Sequence, residues 1–190
     1  NNTLYKLALD LSWSETLGTV DTQDADVLDL AYNSYNDTLY VLTTSVNAET
    51  METTYTVQEL STEDATLGQA YPVSRDIDTP VSIAFNSADT FYVYEAFMDY
   101  IYLSTLDGTT VTSVLWAQQS MSADADTFSM VYSQTYQRLL IMTVDTYYGT
   151  GEQTLYMVDP LSGTITHLGD GAWTKDVVDR LLGEGAAPSP

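Results

Sequence analysis

Three pairs of aspartates, each with one residue between its members, are the groups best placed to do chemistry: Asp24/Asp26, Asp76/Asp78 and Asp124/Asp126. Carboxylates this close can share a hard cation, which wants several oxygen ligands, and calcium tolerates the irregular geometry of a loop site. The same side chains can instead accept hydrogen bonds from loop backbone, as Asx turns do. Paired carboxylates also serve general acid–base work, as in glycoside hydrolysis. A catalytic pair has no reason to recur, however, and no Asp-x-Asp-x-Asp-Gly loop ending in Glu is present. Recurrence therefore favours backbone capping over metal, and metal over catalysis.

Other reactive groups are sparse. Glu95 and Asp145 hold corresponding places in two repeats and are the better isolated carboxylates, yet nothing else sets them apart from other loop acids. His167 is the single histidine, so a His-based triad or a three-His metal site is impossible. Gly149-Thr150-Gly151 lacks both the lysine and the following helix of a phosphate loop. No enzyme and no obligatory cofactor is expected, and calcium is the one ion considered.

The elements that must carry these acids follow from their recurrence. The pairs begin at residues 24, 76 and 124, intervals of 52 and 48, a period typical of repeat architectures whose units stack on their neighbours. Four strand-like runs follow each pair, rich in β-branched and aromatic residues and bounded by Asn, Asp, Ser, Gly or Pro. They are 27–33, 38–44, 54–60 and 66–71 in the first repeat, and 81–86, 90–95, 100–105 and 109–115 in the second. The third has 128–133, 138–144, 154–159 and 164–168. Ahead of the first pair lie two runs, 3–10 and 16–20, matching third and fourth strands: Thr3-Leu4-Tyr5 reads like Thr154-Leu155-Tyr156, and Thr16-Leu17-Gly18 like Thr66-Leu67-Gly68. The chain thus divides into a half repeat (1–21), repeats at 24–73, 76–117 and 124–170, and a tail at 173–190. In the tail, Thr174–Leu182 has a capping Thr and puts Val177, Val178, Leu181 and Leu182 on one helical face, with Gly183 as a stop.

Composition narrows the partners. With 27 acidic and 5 basic residues the formal charge is −22, which leaves no basic patch for nucleic acid or an anionic membrane surface. Such charge often signals disorder, but 15 Tyr, 4 Phe and 3 Trp within 44% apolar content argue for a folded β protein. The acids keep exposed strand edges apart and the domain soluble. Cysteine is absent, so disulfides and thiolate sites are excluded. No apolar stretch approaches a membrane span, and membrane insertion is not expected. The abundance of Asp, Thr and Tyr with little Lys points to a secreted or surface-displayed bacterial protein.

Four antiparallel strands in each repeat, a Tyr/Phe-Asn/Ser end to the first strand and Leu-Tyr-Val in the second resemble the blades of a β-propeller. Leu155-Tyr156-Met157-Val158-Asp159-Pro160-Leu161-Ser162-Gly163-Thr164-Ile165-Thr166 looks like the strand, Asp-x-x-Ser-Gly turn and strand of bacterial extracellular propellers. No Trp-Asp dipeptide or kelch double glycine is present, so no subfamily is assigned. The resemblance, over roughly residues 3–170, implies an all-β, β-propeller-like fold, to which the tail adds a short C-terminal helix. Three and a half blades do not close a ring, so the expectation is that the chain is a fragment with further blades ahead of Asn1; the alternatives are a second chain that completes the ring or the Thr174–Leu182 helix covering one open face.

Antiparallel alternation places the aspartate pairs at the same blade end as the loops joining second to third strands. That face gathers Phe97, Met98, Tyr147 and Tyr148 beside the acids, and the resemblance sets the pairs near the central channel. Carboxylates beside aromatics describe a binding face. The expected function is a non-enzymatic binding or display module that takes a protein or glycan ligand there. The alternatives are a carbohydrate-active enzyme using loop carboxylates, or a purely structural repeat unit.

Overall fold

The computed structural model describes residues 2–7, 12–96, 100–115, 125–145 and 152–170 of the chain, with side chains described outside 110–128, 145, 152 and 170. Short runs of Thr, Val, Leu and Tyr are broken by Asn, Asp, Ser and Gly, and each run becomes a strand. A hairpin comes first, β1 (Asn2–Leu7) with β2 (Ser14–Val20). The first blade holds β3 (Asp26–Asn33), β4 (Thr38–Val46), β5 (Thr53–Leu60) and β6 (Leu67–Pro72). The second holds β7 (Pro80–Phe85), β8 (Thr90–Glu95), β9 (Tyr100–Thr105) and β10 (Thr110–Leu115). The third holds β11 (Ala125–Ser133), β12 (Arg138–Asp145), β13 (Glu152–Val158) and β14 (Ile165–Asp170).

Every pairing is antiparallel and every sheet keeps sequence order, which is a β-propeller-like layout. The first strands β3, β7 and β11 stand side by side, so consecutive sheets meet face to face rather than edge to edge. The expected C-terminal helix, Thr174–Leu182, lies outside the described residues.

Most strand bounds move by one to three residues, and two of the shifts take in an aspartate of a pair. Asp26 pairs with Thr44 inside β3, and Asp126 lies within β11 rather than in a loop ahead of it. The reason is a β-bulge near the start of each first strand, at Leu28, Val81 and Asp126, which lets one more residue join the ladder before pairing ends.

The core lies between sheets. Tyr40, Leu42 and Val57 of the first blade meet Ile83, Phe85, Phe91 and Val93 of the second. Tyr92, Tyr94 and Ile101 then meet Met130, Leu139 and Ile141 of the third. The β1–β2 hairpin buries Leu4 and Val20 against Val41, Leu60 and Ala65. It approaches so closely that a Cβ at Gly18 would fall 2.8 Å from that of Ala65, which explains the glycine there.

Turn chemistry repeats as well. Gly163 takes φ +70° after Asp159, whose Oδ1 accepts from Leu161 N at 2.9 Å, while Gly163 N donates to Asp159 O at 2.8 Å. The corresponding turn of the first blade ends on Ala65, also left-handed at φ +59°, and its N donates to Ser61 O at 3.1 Å. Arg138 meets the Asp159 carboxylate at 3.2 Å and ties that turn to the start of β12.

Candidate functional site

Side chains rather than strand pairing tie neighbouring blades together near the axis. A lone Asp in an otherwise apolar run, Asp29 on β3, accepts from Ser82 Oγ at 2.6 Å and from Ile83 N at 2.8 Å, both on β7. Ser82 Oγ in turn accepts from Met130 N on β11 at 3.1 Å. The relay thus crosses three blades. Burial pushes the Asp29 carboxyl above the usual Asp range, and the hydrogen bonds from Ser82, Ile83 and Leu30 pull the other way.

A second link lies at the opposite end of β3. Asn33 is fully buried, and its Nδ2 donates to the carbonyls of Ser87 and Ala88 in the next blade, 3.1 Å each, while its Oδ1 accepts from Tyr35 N at 3.0 Å. All three hydrogen bonds are local to one turn and the neighbouring one, so Asn33 fixes the spacing of two blades. Gln134 of the β11–β12 turn donates to Ser34 Oγ of the β3–β4 turn, so the first and third blades meet there as well.

Away from the axis, the β4–β5 loop, the β6–β7 crossover and the β9–β10 turn enclose a cleft of about 770 Å³ between the first two blades. Its walls include Glu52, Tyr55, Arg75, Ile77, Asp78 and Asp107. Arg75 pairs with Glu52 at 3.0 Å, both side chains exposed, so the pair adds little stability but is free to exchange partners. Hydrogen bonds from Thr105 Oγ1 and from Thr109 hold the Asp107 carboxyl below the ordinary range. A wall that mixes carboxylates, one guanidinium, a tyrosine ring and threonines suits a polyhydroxylated or peptide-like ligand. Close by on the first blade, burial and the Glu59 carboxylate push the Tyr71 hydroxyl up to about 12, and Tyr71 donates to Glu59 Oε1 at 2.9 Å.

Of the acids singled out by sequence, Asp24, Asp26, Asp76 and Asp78 are exposed, and only Asp78 lines the cleft. Among the described residues no group of three His, Asp or Glu side chains gathers to hold a metal. Backbone capping in the first interblade loop falls to Asp21, whose Oδ1 accepts from Gln23 N at 3.1 Å. In the second loop Asp76 Oδ2 accepts from Ser74 Oγ at 3.5 Å. Asp124, Phe97, Met98, Tyr147 and Tyr148 lie outside the described residues, as do the side chains of Asp126 and Asp145.

Glu95 is almost fully buried at the end of β8 and accepts from Thr79 Oγ1 at 2.5 Å. Sequence reasoning passed over Asp29, Ser82 and Asn33. Their signal was the alignment of the repeats, where Asp29-Leu30-Ala31-Tyr32-Asn33 lies over Ser82-Ile83-Ala84-Phe85-Asn86, so that Asp29 shares a column with Ser82 and Asn33 with Asn86.

No protein-family model matches the chain. No curated protein matches it either. Among solved structures, the β-propeller domain of the Trilobed protease from Pyrococcus furiosus, described as having an open velcro topology, aligns at 9% identity and a TM-score of 0.41. That alignment covers 80% of this chain and 44% of the other, so the chain spans less than half of that propeller. A protein of unknown function from Bacteroides caccae aligns at 9% identity and a TM-score of 0.46, over 90% of this chain and 69% of that one.

Proposed function

We propose that this chain is a non-enzymatic binding module of a secreted or cell-surface bacterial protein, taking a protein or glycan ligand. The observation that carries the reading is the cleft between the first two blades, where Asp78, Glu52 and Arg75 stand beside Tyr55 and Asp107. It abuts the loop that bears the second aspartate pair, with Asp78 in its wall. Glu95, the carboxylate best suited to acid–base work, is engaged by Thr79 and buried, which favours a structural duty for it.

The test is a glycan array and a surface-protein display screen run with the unaltered chain and with Tyr55→Ala and Asp78→Ala. Binding that weakens at least about tenfold in both variants supports the reading, since a lost aromatic stack or charged hydrogen bond is worth roughly 1.4 kcal/mol or more. Undiminished binding in both would remove the cleft from consideration. Polysaccharide turnover abolished by Glu95→Gln would overturn the non-enzymatic assignment.

A further inference from the structure

The cleft between the first two blades owes its shape to a mismatch in strand length. The ladder of β6 on β5 ends with Pro72 opposite Thr56, followed by one further bond, Val73 N to Tyr55 O at 2.9 Å. β5 begins at Thr53, so its first residues run on past the end of β6. In the second blade β10 covers β9 as far as its first residue, Tyr100, which pairs with Leu115. The second blade has no such overhang. The first blade is nevertheless complete, with all four of its strands in one sheet.

The overhang has a defined chemistry. Main-chain groups alternate sides along a strand, and Tyr55 turns its carbonyl toward β6. Glu52 turns its carbonyl the other way, where it accepts from Asn47 N at 2.9 Å. Thr53 therefore aims its N–H and C=O in the same direction as Tyr55, into the space walled by Val73 and Ser74. One donor and one acceptor on an exposed residue are what an extended backbone matches. Around them stand Glu52, Asp78 and Asp107, against one cation, Arg75, which Glu52 already holds at 3.0 Å. Asp107 is set there by close approach, since a Cβ at the adjacent Gly108 would fall 2.9 Å from Pro72 O. Tyr55 is partly buried against the core between the blades, so less of its ring is open to stack a sugar.

Resting on the reading of this cleft as a binding site, we propose that its ligand is an extended peptide segment carrying a lysine or arginine. The peptide backbone exchanges hydrogen bonds with Thr53, and the basic side chain lies among the carboxylates of Glu52, Asp78 and Asp107. Charge decides between peptide and glycan. Among the described residues neither Asp78 nor Asp107 has a cation beside it, and a neutral sugar would leave both so. A basic side chain answers them, and it also suits a chain of formal charge −22.

The probe is acetyl-Val-Thr-Lys-Thr-Val-amide, compared with its Glu-for-Lys analogue and with the same lysine peptide N-methylated at every amide. Each is titrated into the full chain, with affinity read by calorimetry and amide hydrogen exchange followed at Thr53. The lysine peptide is expected to bind at least about tenfold tighter than either comparison peptide, and to slow exchange at Thr53 saturably. Asp78→Asn combined with Asp107→Asn weakens it by about tenfold. Both side chains are exposed, so that variant folds, and losing two of 27 acids leaves the chain's general attraction for cations in place. Arg75→Ala frees Glu52 and tightens the complex by about threefold. Equal affinity for the Lys and Glu peptides, an unprotected Thr53 amide, or a weaker complex in Arg75→Ala would overturn the proposal. Failure of the wider reading looks different. A glycan that binds and is lost in Tyr55→Ala and Asp78→Ala, with no peptide bound, sinks the peptide alone, whereas silence from both sinks the cleft as a site.

Discussion

The seam between the first and second blades and the seam between the β1–β2 hairpin and the first blade are built from the same repeat, yet only one is complete. In the former, Tyr40, Leu42 and Phe91 are almost fully buried, Asp29 reaches across to Ser82 and Ile83, and Asn33 clamps the facing turn. In the latter, the outer part is equally tight around Ala65 and Gly18, but toward the axis Leu30 and Tyr32 face outward. The difference teaches that burial in this fold is decided by whether a neighbouring strand occupies the adjoining column, not by residue type. Tyr32 and Phe85 are close chemical equivalents with opposite environments.

That comparison breaks most easily at the rings. Tyr40→Ala removes a fully buried side chain that touches Phe85 and Tyr71, and is expected to cost about 3–5 kcal/mol in urea unfolding. Tyr32→Ala, which loses an exposed ring and its 2.5 Å hydrogen bond to Asp37, should cost less than about 1 kcal/mol. Equal costs for the two substitutions would mean that the two seams are equally packed.

A smaller effect tests the polar link. Burial raises the Asp29 pKa above its unfolded value, so the folded state binds that proton more tightly. Its contribution to stability is therefore full below the ordinary Asp range and is lost as pH rises through the raised value. Relative to Asp29→Asn, which has no proton to lose there, the unaltered chain should lose stability as pH rises above the ordinary Asp range. Thermal melts of both proteins across that rise in pH measure the difference. A difference that grows in the opposite direction would show that hydrogen bonds from Ser82 and Ile83 outweigh burial.

The smallest effect concerns metal. Because Asp24, Asp26, Asp76 and Asp78 are exposed and, among the described residues, no third acid joins either pair, millimolar calcium should leave Tm within about 1 °C of its value in chelator. A rise of several degrees would restore the aspartate pairs as ligands.

Much of the fold was legible because the repeat writes strand, turn and strand in residues whose local preferences agree. Thr90–Glu95 and Tyr100–Thr105 were read with the same bounds that the strands show. The two strands ahead of Asp24, which pair as a hairpin, were legible from Thr-Leu-Tyr and Thr-Leu-Gly. The candidate site was less so. Spacing drew attention to Asp24 and Asp76, which are conspicuous as pairs but stand exposed, while the single Asp29 inside Val27-Leu28-Asp29-Leu30 carries the interblade contact. A carboxylate in an apolar run is informative only once its neighbour 53 positions on is known to be a serine, and that pairing is a property of stacking rather than of local sequence. The cleft, likewise, is assembled from three loops of two blades, and none of its walls announces the others.

The relay from Asp29 to Ile83 and from Ser82 to Met130 ends each time on a main-chain amide. Each clasp holds the next strand by its main chain, and the Ser82 hydroxyl alone adds a side-chain contact to Asp29 while serving as acceptor for Met130. Where the donor is a main-chain amide, the side chain at Ile83 or Met130 is left free to serve packing alone, so one position both registers the blades and fills the seam between them.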